Sequence, residues 1–297
     1  MPTGIVGQTE PEWIDTHSHL FLEEFDEDRD EAVSRAQAAG IAHLYLPNID
    51  SASLPRLLDM VRRYPEYVSP LIGLHPTSVA ANYREELDFL YAQLQKTNRK
   101  TENAESDCLV PYVGIGEIGM DLYWDDSYKK EQEEVFREQL CWAKEFSLPV
   151  CIHCRKAFPE TFEIVSQEMD GEKLQGIFHC FEGTEEEARK VLSLPNFYLG
   201  IGGVVTYKKS NLPHILKEYV PLERIVLETD CPYLAPVPKR GKRNESSYLV
   251  YTARKIAEIY GISPSQVAET TTRNAQRLMQ KQDDCNSFAT KNGENIC

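Results

Sequence analysis

Residues 13–49 read WIDTHSHLFLEEFDEDRDEAVSRAQAAGIAHLYLPNI, and this stretch contains one full period of the pattern that decides the fold. An apolar run (13–20) ends in His17 and His19. A polar–apolar stretch with helical spacing follows (30–39), and Gly40 stands where a helix terminates. A second apolar run begins at once (41–49). Further runs lie at 68–75, 112–120, 148–153, 176–181, 197–203 and 224–229. Most are near-continuous rather than alternating, which is how strands buried on both faces read. Helical spacing fills the intervals at 54–64, 85–95, 129–146, 158–168, 185–194 and 212–219. Gly171 fits another helix stop, and Thr184 with Glu187 three residues on forms a capping box.

Strand followed by helix, repeated through the chain, predicts a parallel sheet with crossover helices. Eight strands favour closure, so the expected class is α/β, a (β/α)8 barrel. At 297 residues a prior of roughly 150 residues per domain suggests two domains, but such barrels run to about 250 as one. A single domain is therefore expected over 12–281, with closing helices at 248–261 and 264–280. The segment 96–107 reads as an exposed loop, and 1–11 and 282–297 as flexible termini.

Lys and Arg number 32 against 47 Asp and Glu, a net charge of −15. Such a chain is a poor match for a long duplex, because phosphate binding needs cations to displace counterions. A local metal site can still attract phosphate. The first residues lack the basic and apolar regions of a signal peptide, and no run approaches the ~18 residues that span a bilayer. Eight scattered cysteines suit free thiols in a reducing compartment, so a cytoplasmic location is expected, with no membrane and no obligatory protein partner. Cys151 and Cys154, three apart on a strand, face opposite sides and cannot grip one ion.

The ionisable residues fall at the C-terminal ends of the strands: His17 and His19, His75, Glu117, His153 with Arg155, His179, and Asp230. In a barrel those ends share one mouth, where activity resides. His43 and His214 read as ordinary structural histidines. His17 and His19, two apart, face the same side and suit a chelating pair. Imidazoles and carboxylates without paired thiolates suit Zn, Mn, Mg or a similar divalent ion. Six ligands are too many for one open site, so two ions sharing a carboxylate fit better, at the ~3.5–4 Å spacing of binuclear hydrolases.

Eight motifs then occur in order: IDTHSHL (14–20), GLHP (73–76), GEIGMDLY (116–123), IHCRKA (152–157), HCFEG (179–183), GIGGVVTYKKS (200–210), LETDCPYLAP (227–236) and RNESSYL (243–249). On these the chain resembles the TatD-related nucleases of the amidohydrolase-like metal-dependent hydrolases, from Ile14 to about Met279. The resemblance implies that His17 and His19 bind one metal with Asp230, that Glu117 bridges both ions, and that His153 and His179 complete the second site. It also implies DNase activity of 3′-exonuclease character. Ser246 departs from the pattern, which usually has Pro after Arg-Asn-Glu.

The chemistry expected is attack on phosphorus by a water or hydroxide bridging the two metals, with Asp230 as general base. The substrate is DNA ends or single strands. His75 reads as a contact to phosphate or leaving oxygen, or as a partner to a ligand. Arg155 reads as a phosphate contact, or as a salt bridge to Asp121 or Glu182. Lys208, Lys209, Arg243 and Asn244 are candidate substrate contacts. Asp15 and Glu228 suit orienting roles behind the imidazoles. Tyr123 and Trp124 suit base stacking or packing on the barrel rim. The competing reading is a hydrolase of cyclic amides, lactones or phosphotriesters on the same fold. Many of those bridge their metals with a carboxylated Lys, where this chain has Glu117. A metal-binding scaffold without chemistry is the third reading.

Overall fold

The computed structural model describes residues 11–98, 111–171 and 173–279. Eight parallel strands lie in chain order, β1 (Trp13–Asp15), β2 (Ile41–Pro47), β3 (Val68–Ile72), β4 (Gly114–Asp121), β5 (Val150–Arg155), β6 (Gly176–Phe178), β7 (Phe197–Ile201) and β8 (Ile225–Leu227). Between them run α1 (Arg29–Ala38), α2 (Leu54–Arg63), α3 (Tyr83–Asn98), α4 (Lys129–Phe146), α5 (Phe158–Glu168), α6 (Glu185–Ser193) and α7 (Leu212–Tyr219). Helices α8 (Leu249–Tyr260) and α9 (Pro264–Met279) follow β8. This is the (β/α)8 barrel expected from the apolar runs.

Side chains divide by face as the strand period requires. Ile14, Tyr45, Leu71, Cys151, Ile177, Tyr198 and Val226 fill the barrel interior with Ala275, Leu278 and Met279 of α9. The last helix thus plugs the bottom, and Asn274 fastens it by donating to Leu222 O and Ile225 O at 3.0 and 2.7 Å. The opposite faces pack the helices in one continuous outer core. Cys151 belongs to the inner cluster and Cys154 packs against the outer one, as their spacing on β5 demands.

Strands are shorter than the apolar runs that announced them, and the reason lies at the seam. Past Asp15 the chain keeps a bond to β2, Ser18 N donating to Tyr45 O at 3.1 Å, and otherwise pairs with β8 and the segment after it. Thr16 N donates to Leu227 O, His19 N to Cys231 O, and Asp230 N to His17 O. These bonds join the first strand's extension to the last and close the ring. Helix α3 continues to Asn98, further than the loop expected from residue 96, because the Asn98 amide bonds both backbone groups of Tyr112. Residues 99–107 of that loop lie outside the described residues, as do the termini except Pro11. The capping box forms: Thr184 Oγ1 accepts from Glu187 N, and Glu187 Oε2 from Thr184 N.

Gly119 marks where β4 is pressed against β5. Its φ is +136°, and an added Cβ would meet His153 O at 2.0 Å. No side chain fits without moving the strand that carries His153. Gly119→Ala should lower unfolding free energy by at least about 2 kcal/mol, read from urea melts, with metal affinity falling alongside.

Candidate metal centre at the barrel mouth

Glu117 reaches the mouth from β4 and is almost wholly buried, with 3 % of its surface exposed. Five imidazoles surround it, and its two oxygens divide them. Oε2 lies 3.1 Å from His17 Nε2 and 3.4 Å from His19 Nε2. Oε1 lies 3.2 Å from His75 Nε2, 2.8 Å from His153 Nδ1 and 2.9 Å from His179 Nε2. Asp230 Oδ1 stands beside the first group, 3.6 Å from His17 Nε2 and 3.5 Å from His19 Nε2. All six residues read from the sequence as ligands are therefore gathered at one point. His75, read there as a contact to phosphate or leaving oxygen, or as a partner to a ligand, stands among them.

Groups behind the ring hold several of these side chains in orientation. His153 Nε2 donates to Asp121 Oδ2 at 2.9 Å, which leaves its Nδ1 lone pair aimed at Glu117. His17 Nδ1 lies 3.2 Å from Cys151 Sγ, so its Nε2 faces the centre. His179 Nδ1 is 3.6 Å from Glu228 Oε1. Asp15 does not touch an imidazole; it accepts from His17 N, Thr229 N and the Thr229 hydroxyl. Its orienting role acts through the backbone. Desolvation pushes its carboxyl up to about 7 against those bonds. Asp121 was missed as a partner for His153. The signal was available: 117, 119 and 121 share one face of a strand.

This donor set fits divalent cations. His153 Nδ1 and Glu117 Oε1 are both acceptors once Nε2 serves Asp121, and two lone pairs at 2.8 Å repel unless a proton or metal lies between them. The same conflict holds at 2.9 Å between His17 Nε2 and His19 Nε2. Three overlapping sets bring their ligand atoms within 4.8 Å of one another: His17, His19 and Glu117; His75, Glu117 and His153; His17, His179 and Asp230. Protons fill the gaps when no metal does. Burial opposes charge on His19, yet hydrogen bonds to Asp230 and Glu117 push it up to about 9. Burial likewise opposes charge on His153 and His179, and carboxylates raise both. Burial would raise Glu117, but His179, His75 and His17 hold it well below the usual carboxylate range.

Comparison with known proteins agrees with this geometry. The family described as TatD related DNase matches residues 14–280. The chain belongs to that family. A relative in Bacillus subtilis, the uncharacterized metal-dependent hydrolase YabD, is 38% identical over 265 residues, covering 89% of this chain and 98% of its own. The 3′-5′ ssDNA/RNA exonuclease TatD of Cronobacter sakazakii is 35% identical over 275 residues, 90% of this chain and 98% of its own. The crystal structure of YjjV, a TatD homologue from Escherichia coli, superposes with a TM-score of 0.77 at 26% identity, covering 90% of this chain and 97% of that one. This TatD-family chain is accordingly a metal-dependent hydrolase.

The remaining predicted residues occupy different settings in this TatD-family barrel. Arg155 makes no salt bridge to Asp121 or Glu182; its guanidinium lies 3.9 Å from the centre of the Tyr123 ring. Lys208 and Lys209 are exposed in the loop after β7. That loop is tied to the one after β8, where Thr206 Oγ1 accepts from Val237 N and Arg240 lies over the Tyr207 ring. Lys208, Lys209, Lys239, Arg240 and Lys242 have no carboxylate partner among the described residues. Arg243 points elsewhere, with both arms on Asp28 at 2.7 Å and a third bond to Glu24 O. Asn244 is buried, both of its amide donations going to Thr229 O and Tyr233 O. Ser246, the departure from the family pattern, is buried 3.1 Å from Ser18 Oγ.

Asp121→Ala should weaken zinc or manganese binding roughly 10- to 100-fold in titration calorimetry, because His153 loses the bond that aims its Nδ1. The Asp28 contact gives a pH signature. Arg243, and then Arg35, hold its carboxyl down to about 2. A depressed carboxyl favours the fold above its ordinary value of 3.8 and loses that contribution as the pH falls toward 2. Asp28→Asn should therefore cost about 1 kcal/mol at neutral pH, the value for a solvent-screened pair. In urea melts the gap from wild type should close between pH 3.8 and about 2.

Proposed function

We propose that this protein hydrolyses phosphodiester bonds of DNA, trimming single strands or ends from the 3′ side. The observation that carries the reading is the division at Glu117, whose two oxygens face two separate sets of imidazoles. His17, His19 and Asp230 would hold one divalent ion, and His153 and His179 the other, with Glu117 shared and His75 beside the second set. Mg, Mn or Zn would suit these donors. Such a pair supplies Lewis acidity, lowering the pKa of water and neutralising charge that develops on phosphoryl oxygens.

The chain's own groups do the rest. Asp230 accepts the proton of the attacking water as oxygen adds to phosphorus and one P–O ester bond breaks. Its carboxylate suits this because it is at the rim, with 15 % of the side chain exposed against 3 % for Glu117. Burial opposes its charge, but the hydrogen bond from His19, followed by the neighbouring imidazoles, holds its carboxyl below the usual range. Arg155 at one side, and Lys208 with its basic neighbours at the other, would meet the flanking backbone. A short footprint of this kind is compatible with a chain of net charge −15. The name of the Cronobacter relative supports a single-stranded nucleic acid as substrate. The five free thiols among the described residues support a reducing, cytoplasmic setting. No described helix is long and apolar enough to cross a membrane.

Purified protein with manganese should progressively shorten a 5′-labelled single strand, stop in EDTA, and resume when metal is restored. Asp230→Asn should keep its circular dichroism spectrum while kcat drops by about 10²- to 10⁴-fold. Near wild-type kcat would remove Asp230 from the role of base. Turnover of lactones or cyclic amides without any of DNA would replace the reading itself.

A further inference from the structure

We propose that Trp124 is a stacking platform for an unpaired nucleobase at the barrel mouth, and that Tyr123 seats Arg155 beside it to hold an adjacent backbone phosphate. This rests on the hydrolytic reading above and deepens it by naming what the site recognises.

Trp124 is 72% exposed, whereas Trp13 and Trp142 are each 4% exposed. Among the described residues it is the most exposed large hydrophobic side chain, ahead of Tyr233 at 50% and Tyr123 at 49%. Neither residue is placed at random. Asp121 Oδ1 accepts from Tyr123 N at 2.9 Å while its Oδ2 holds His153. Leu122 N donates to Arg155 O at 3.0 Å. The aromatic pair is thus anchored to the carboxylate that aims a candidate ligand and to the strand that carries it.

The orientations leave the indole open to a ligand. The two rings meet edge to face, 4.9 Å apart at 88°, so the indole does not lie flat on its neighbour. Arg155 stacks 3.9 Å over Tyr123 and 5.3 Å from the Trp124 ring centre. Stacking holds a guanidinium by its face and leaves its N–H edge directed outward. No carboxylate among the described residues lies within ion-pair distance of that edge, and the charge acts on Glu182 and Asp121 only from farther away. A flat apolar face beside a planar cation matches one nucleotide: a base on the ring and a phosphate on the fork. Bases inside a duplex already have both faces covered by neighbours. Only a splayed or single-stranded residue can use the platform, and stacking accepts any of the four bases.

Trp13 and Trp142 are buried and out of reach of a bound base, so the part of the tryptophan emission that a stacked base quenches is that of Trp124. The probe is a short oligo(dT) with phosphorothioate linkages, titrated in EDTA so that nothing is cut. Binding should quench the emission, and blunt duplex of equal length should quench it far less. Trp124→Ala should weaken single-strand binding, measured by anisotropy, roughly 5- to 150-fold, and Trp124→Phe should restore most of it. The loss should vanish on a strand whose 3′-terminal residues are abasic. Arg155→Ala should lower the slope of log K against log salt by about 0.7. If Trp124→Ala binds oligo(dT) like wild type, or loses equally on the abasic strand, the platform is refuted even where the wild type degrades DNA. If wild type binds as described but hydrolyses no nucleic acid with metal restored, the platform stands and the hydrolytic reading falls.

Discussion

A carboxylate buried among five imidazoles is the constraint around which this molecule is organised. Glu117 has almost no contact with water, and a charge taken from water that completely must be compensated on every side. Its five imidazoles come from four different strand ends, so no local segment could build the arrangement. Only a closed ring of strands brings His17, His75, His153 and His179 to one point around β4. The same closure fixes the seam, where the extension of β1 bonds to the loop after β8 and carries Asp230 into place. That residue adopts a positive φ of 54°, uncommon for Asp, held by its own N–H on His17 O.

Electrostatic cost also explains the groups behind the ring. An imidazole that serves a metal needs its other nitrogen occupied, or the wrong tautomer faces the ion. Asp121 does this for His153 and the Cys151 sulfur faces the rear of His17. Cys151 is thereby more than filler in the barrel interior, although its thiol is buried and pushed well above its ordinary value, desolvation being the main cause. Such a thiol stays protonated and does not compete as a ligand.

The rim follows different rules from the centre. Arg243, Arg35, Asp28 and Glu245 are spent on one another and fasten the loop after β8 to α1. Among the described residues, Arg155 and the cations at 208–209 and 239–242 have no carboxylate within ion-pair distance, although Glu182 and Asp121 feel the charge of Arg155 from farther away. In a chain with an excess of carboxylates, positive groups left unpaired around one opening create a local field that the net charge conceals. An acidic protein can in this way accept a short anionic segment at one place and repel polyanions elsewhere.

Hydrophobic period and the positions of His and Asp determined much of this protein before any coordinate. Near-continuous apolar runs of strand length, alternating with helical spacing, leave few folds other than a barrel, since strands covered on both faces must be parallel and connected by helices. The strand-end histidines then had to share a mouth. The sequence could not decide which side chains are spoken for. Arg243 and Arg155 look alike in one dimension, yet one is paired with Asp28 and the other stacks on Tyr123. His75 looks like a residue beside a site, yet lies as near to Glu117 as the predicted ligands. Pairing, burial and ring orientation depend on what lies on other strand ends, tens to hundreds of residues away in sequence, and only the closed structure settles them.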